Sequence, residues 1–155
     1  MPPQHGLERY QQVHSAHKAM AHDPRINQFL AGSPHAVVGA STNRAKYGNK
    51  VLRAYLQACR EVIPVHPSAH AVEGIKAFSN LSAITEPLHG ISIVTPPEVS
   101  QKIVALAINL GVRNIWLQPG AENAATLAIA EQSGVNVISG GPCILVNLQF
   151  REESP

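Results

Sequence analysis

"AVVGASTNRAKYGNK", residues Ala36 to Lys50, joins a short apolar run to a loop of glycine, hydroxyl and cationic side chains. "HAVVGA" reads as a buried strand ended by Gly39. "GNKVLRAYLQA" behind it reads as a helix, with Val51, Leu52, Tyr55 and Leu56 on one face and Asn49 as its cap. A strand that runs through a short loop into a helix is the first half of a crossover unit.

The same alternation continues along the chain. Before the strand, "DPRINQFLAG" offers Asp23 as a helix cap, Pro24 at the first helical position and Gly32 as the stop, with Ile26, Phe29 and Leu30 on one face. After it come the strand "EVIPVHP", then "AVEGIKAFSNLSAI", which reads as a short strand or turn and a short helix from near Ser79. "GISIVTPP" is a buried strand stopped by prolines. "PEVSQKIVALAINLG" is an amphipathic helix with Val99, Ile103, Leu106, Ala107 and Leu110 in its stripe and Gly111 at its end. "VRNIWLQPG" is a strand, "AENAATLAIAEQSG" a helix and "VNVISGGP" a strand, while "CILVNLQF" reads as a last turn plus an edge segment. Strands alternating with helices imply right-handed crossovers, so the expected fold is a doubly wound α/β parallel sheet of about five strands with helices on both faces.

At 155 residues the chain suits a single domain. We place that domain at residues 23–150 and read the polar, histidine-bearing residues 1–22 as an amino-terminal extension. An apolar fraction of 45% and a charged fraction of 14% are those of a globular protein. A formal charge of +2 is too small for nucleic acid as the main partner but suits a small anionic ligand. Two cysteines, no apolar signal-peptide core and no membrane-length apolar run lead to the expectation of a cytoplasmic protein that does not engage a membrane.

In such a sheet ligands lie outside the carboxyl ends of the strands, so the loops that follow each strand carry the function. The first of these combines Gly39, which allows close backbone approach, with the hydroxyls of Ser41 and Thr42, the cations Arg44, Lys46 and Lys50, and Gly48 at the helix start. Free amides at a helix start attract phosphate, and cations strengthen the attraction. The glycine spacing is not that of a dinucleotide loop, because Ala40 and Ser41 follow Gly39 and the next glycine is Gly48. The second strand ends in "VHPSAH", without the carboxylate that would hold the ribose of NAD. NAD and nucleoside triphosphates are disfavoured. NADP remains open through His66, His70 or an arginine.

Together, "VVGAS…KYGNKVLRAYL", "VIPVHP", Gly74, "ISIVTPPEV", "GVRNIWLQPGAEN" and "VISGGPCILV" resemble the small stand-alone coenzyme A-binding proteins, which are similar to the amino-terminal domain of the succinyl-coenzyme A synthetase alpha subunit. The resemblance covers roughly residues 30–148 and implies a Rossmann-like domain whose cofactor is coenzyme A or an acyl-coenzyme A. Carried over by position, it implies a phosphate loop of Gly39, Ala40, Ser41, Lys46, Tyr47, Gly48 and Asn49. Pro64, Val65 and His66 would form the next rim, Thr95, Pro96 and Pro97 would lie along the ligand, and Gln118, Pro119 and Gly120 would follow. Two departures stand out: the family usually has glycine in place of Cys59 and asparagine in place of His66. The synthetase phosphorylates a histidine of a second domain, so the resemblance implies binding rather than ligase activity. A homodimer, or an ATP-grasp partner chain completing an acyl-coenzyme A ligase, is a partner the resemblance allows, and an NADP-binding oxidoreductase is the rival class.

No catalytic or metal-ligating set is expected. His14, His17 and His22 cluster in the extension without a cysteine or carboxylate at ligand spacing. Cys59 and Trp116 read as packing residues. Cys143 reads as an inert cysteine, with a reactive thiol as the sharper alternative.

Overall fold

A computed structural model describes residues 23–153, so the extension and its histidines lie outside the described residues. The chain enters through α1 (Pro24–Leu30), where Asp23 accepts the Arg25 amide and Pro24 occupies the first turn. The helix ends at Leu30 with Ala31 as its cap, which puts Gly32 just past the end. Then follow β1 (His35–Val38), α2 (Tyr47–Gln57), β2 (Val62–Val65), the hairpin β3 (Ala71–Val72) and β4 (Ile75–Lys76), and a 3-10 turn at Leu81–Ala83. The chain continues through β5 (Gly90–Ile93), α3 (Pro97–Asn109), β6 (Asn114–Leu117), α4 (Ala124–Ser133), β7 (Asn136–Ile138) and α5 (Ile144–Asn147).

Five strands form one parallel sheet in the order β2-β1-β5-β6-β7. The connection out of β1 goes to one side and the connection out of β2 returns across it, so the order reverses between β1 and β5. Such a reversal opens a crevice at the carboxyl ends of those two strands.

Alternate strand residues face opposite layers, and each layer buries its own cluster. Ala36, Val38, Ile63, Val65, Ile91, Ile93, Ile115 and Leu117 face Val104 and Ala107 of α3 and Ala130 of α4. Val37, Val62, Trp116 and Ile138 face Ile26 and Phe29 of α1, the Val51, Leu52 and Tyr55 stripe of α2, and Ile144 of α5. The Rossmann-like α/β architecture, a parallel sheet with helices on both faces, is thus as expected. Trp116 is fully buried, donates its indole N–H to the Pro142 carbonyl at 3.0 Å and meets Phe29 edge-on.

Several local expectations change. The first residue of α2 is Tyr47 and its cap position is Lys46, so Asn49 lies inside the helix and not at its cap. Leu56 is half-exposed and Ala54 takes its place in the core. On α3 the buried positions are Ser100, Val104 and Ala107, while Val99 and Leu110 are exposed. That helix is apolar over most of its circumference, so the pattern could not single out its inner face; the hydroxyl of Ser100 is buried because it bonds Thr95 and the Pro96 carbonyl. "CILVNLQF" supplies a one-turn helix and no strand. Cys59, expected in the core, is exposed and has φ +56°.

Candidate functional site

The strand register decides which residues meet. Val38 of β1 lies level with Val65 of β2 and Ile93 of β5. The next residue in each segment, Gly39, His66 and Val94, therefore leaves the sheet at the same height. These three line one cavity of about 590 Å³ together with Ala40, Ser41, Ala45, Lys46, Tyr47, Gly48 and Pro67.

Two glycines shape that cavity. Gly39 has φ +94°, and a Cβ there would overlap the Val94 carbonyl across the crevice. A Cβ on Gly48 would overlap the Gly39 carbonyl. Strand end and helix start are therefore in backbone contact, which draws the α2 amino terminus over the crevice. No side chain caps that terminus. Asp23, Asn80 and Asn123 accept amides at the starts of α1, the 3-10 turn and α4, whereas α3, like α2, begins without a side-chain cap. Uncapped amides at the positive end of a helix dipole suit an anion.

The surrounding cations differ in their freedom. Arg44 pairs with Glu73 at 2.9 Å and Glu153 at 3.3 Å, and Lys50 lies 3.5 Å from Glu152. Among the described residues, none of the ion pairs involves Lys46, which stands at the cavity mouth. Of the three cations expected around a phosphate, Lys46 is therefore the available one. Tyr47 beside it is exposed, and its ring carries the Lys50 ammonium at 5.7 Å.

His66 has a defined chemical form. Its Nδ1 accepts the amides of Ser68 at 3.1 Å and Ala69 at 2.9 Å, so Nδ1 carries no proton and the hydrogen sits on Nε2. The ring closes the turn after β2 and lends its face to the cavity.

The remaining expected residues divide. Thr95 touches the crevice from the β5 side, its methyl close to the Gly39 position, and Pro96 and Pro97 begin α3 behind it. Pro64 and Val65, expected on a rim, are buried strand residues; the rim starts one residue later at His66 because β2 stays paired with β1 through Val65. Asn49 is fully buried behind the loop, donating to the Ser41 carbonyl at 2.8 Å and accepting from Arg53 at 2.7 Å. Gln118 is buried too: its carbonyl accepts the Ile144 amide and its NH₂ points at the Cys143 sulfur, 3.4 Å away. Pro119 and the left-handed Gly120 lie exposed beyond it. Ala45, Pro67 and Val94 line the cavity without having been singled out. Val94 was findable, since it is the residue after β5 that corresponds in register to Gly39.

A family model described as the coenzyme A binding domain matches residues 34–149. The chain belongs to that family. As a coenzyme A-binding domain protein it is 35% identical to a conserved hypothetical protein of Pyrococcus furiosus, whose structure superposes with a TM-score of 0.71 over 75% of this chain and 99% of that one. It is 27% identical to the uncharacterised Bacillus subtilis protein YneT across 114 residues, 73% of this chain and 84% of that protein. The fold, at 19% identity and a TM-score of 0.61, also occurs in an acetyl-coenzyme A synthetase from Candidatus Korarchaeum cryptofilum, where the match covers 72% of this chain and 27% of that one.

The cavity has the chemistry of an anion site. Its backbone cradle would lose its shape to any Cβ at Gly39 or Gly48, and its uncapped helix and free lysine offer donors without a competing carboxylate. Glu73, the first carboxylate after β2, is paired with Arg44 at 2.9 Å and is not among the residues lining the cavity. Among the described residues no group of three or more His, Cys, Asp or Glu side chains is placed to hold a metal, and no helix is long and apolar enough to cross a membrane.

Proposed function

We propose that this domain binds coenzyme A or an acyl-coenzyme A through the loop between Gly39 and Gly48, and that it binds without catalysing when alone. The diphosphate lies against the α2 amino terminus and Lys46, and the nucleotide extends along the His66 and Thr95–Pro97 rims. The observation that carries this reading is the backbone contact between Gly39 and Gly48, which leaves an uncapped helix end open to the crevice of a coenzyme A-binding domain.

Thermal unfolding with coenzyme A, NADPH and ATP in parallel tests it. Coenzyme A at a hundred times its Kd should stabilise the protein by about 2.7 kcal/mol. NADPH alone raising the midpoint would sink the reading in favour of an oxidoreductase. Loss of the Lys46 ammonium removes a charge-assisted contact, so Lys46→Ala should weaken coenzyme A binding about tenfold at unchanged ligand-free stability. Co-elution with an ATP-grasp chain would replace the stand-alone reading with that of a ligase subunit.

A further inference from the structure

Arg53 is 4% exposed, although arginine is rarely buried without compensation. Its guanidinium is engaged on several sides. Nε donates to Asn49 Oδ1 at 2.7 Å, and Nη2 donates to the Arg44 carbonyl at 2.9 Å and to Glu152 Oε1 at 3.0 Å. Glu73 Oε1 stands 3.7 Å from Nε, presented by a hairpin turn in which Glu73 itself takes φ +50°. The Phe150 ring covers the guanidinium carbon at 5.2 Å. Asn49 then passes the grip onward, donating to the Ser41 carbonyl at 2.8 Å.

One buried guanidinium thus secures two carbonyls of the loop, Arg44 directly and Ser41 through Asn49. Because a peptide unit is planar and trans, drawing those oxygens toward α2 turns the amides of Thr42 and Ala45 the opposite way, and the Ala45 amide is held there by Asn43 Oδ1 at 3.0 Å. None of these partners of Arg53 belongs to the cavity wall. The compensating carboxylates come from distant segments, the β3–β4 turn and residues 151–153, the latter also tied to α2 by reciprocal bonds between Gln57 and the Arg151 backbone.

We propose that Arg53 is the positioning residue of the anion loop, and that Glu152 completes the site from the far end of the chain by holding that guanidinium in the core. The proposal rests on the loop being the coenzyme A site, and it makes residues 151–153 part of a binding device they do not touch.

Arg53→Lys and Glu152→Gln, assayed with coenzyme A and inorganic pyrophosphate by calorimetry and by amide hydrogen exchange of the ligand-free protein, provide the test. Arg53→Lys keeps the charge and loses the fork. Its Kd for coenzyme A should rise about tenfold or more, the scale of a lost hydrogen bond to a charged group, and that of Glu152→Gln about threefold, the scale of a half-exposed ion pair. In both variants the amides of Asn43 and Ala45, bonded to Ser41 Oγ and Asn43 Oδ1, should exchange faster while those of β6 and β7 keep their protection, a pattern that general destabilisation does not produce. Wild-type Kd values with unaltered loop exchange would overturn the proposal. Should Arg53→Lys fail to fold, Glu152→Gln decides alone, because its carboxylate is solvent-facing. If the wild-type protein takes neither coenzyme A nor pyrophosphate, the binding reading falls, and loop exchange in the ligand-free variants still judges the role of Arg53.

Discussion

At position 66 the ring nitrogen does a backbone's work. An asparagine, the usual residue there in proteins this sequence resembles, places a carbonyl oxygen about where His66 places Nδ1, and either acceptor can close the turn on the amides of residues 68 and 69. The departure therefore conserves the turn and changes only what faces the cavity. His66→Asn should unfold within about 0.5 kcal/mol of wild type, whereas His66→Ala, which strands two amides, should lose about 1–2 kcal/mol. Urea denaturation separates the two, and equal losses would show that Nδ1 does not close the turn. Lys46 teaches a related point. Sequence could count three cations in the loop but not which of them the carboxylates at 73, 152 and 153 would engage, because those partners are remote along the chain.

Among the elements, α2 shows most plainly how local chemistry and tertiary placement divide the work. Its apolar positions made the helix readable, yet its start depends on Gly48 fitting beneath the Gly39 carbonyl. Its end is a left-handed turn in which the Cys59 amide bonds the Leu56 carbonyl and the Arg60 amide bonds that of Tyr55. The end of α3 repeats these bonds with Gly111, at φ +84°, in the corresponding place. Cys59 is thus an exposed non-glycine residue in glycine's conformation, which accounts for the glycine usual at that position. Cys59→Gly should raise stability by about 1 kcal/mol, read as an upward shift of the thermal midpoint. A destabilised variant would mean that the thiol makes a contact worth more than the strain.

Over the whole molecule, the amino edge of the sheet carries a pH dependence that the ligand edge does not explain. His35 opens β1, fully buried between Phe29 and Tyr55, with one ring nitrogen 2.8 Å from the Phe29 carbonyl and Nδ1 without a partner among the described residues. Burial, assisted by the nearby His89 and Arg60, lowers its pKa from 6.5 to about 4. The unfolded chain therefore takes up the proton first. Stability from this group is complete above about pH 6.5 and is lost as pH falls toward 4, by about 2 kcal/mol between pH 7 and pH 5. Urea midpoints across that range measure it, and an unchanged slope in His35→Gln would remove His35 as its source. Buried Tyr55, whose hydroxyl bonds Ser92 at 2.7 Å, is shifted in the opposite sense: burial pushes its pKa well above the usual phenolic value.

What the order of residues determined by itself is local or periodic: alternating strands and helices, hence a parallel sheet with two covered faces, and a loop of glycine, hydroxyl and cation at the end of the first strand. Such features are legible because each depends on neighbours a few positions away. Only the tertiary structure decided that the rim begins at His66 rather than Pro64, that Asn49 faces inward, that Ser100 rather than Val99 is buried, and that Glu152 reaches Arg53 across 99 positions of sequence. Those choices follow from register, from which face of an almost wholly apolar helix meets the sheet, and from the need of a buried charge for a counter-charge, and none of the three is set by residues adjacent in the chain.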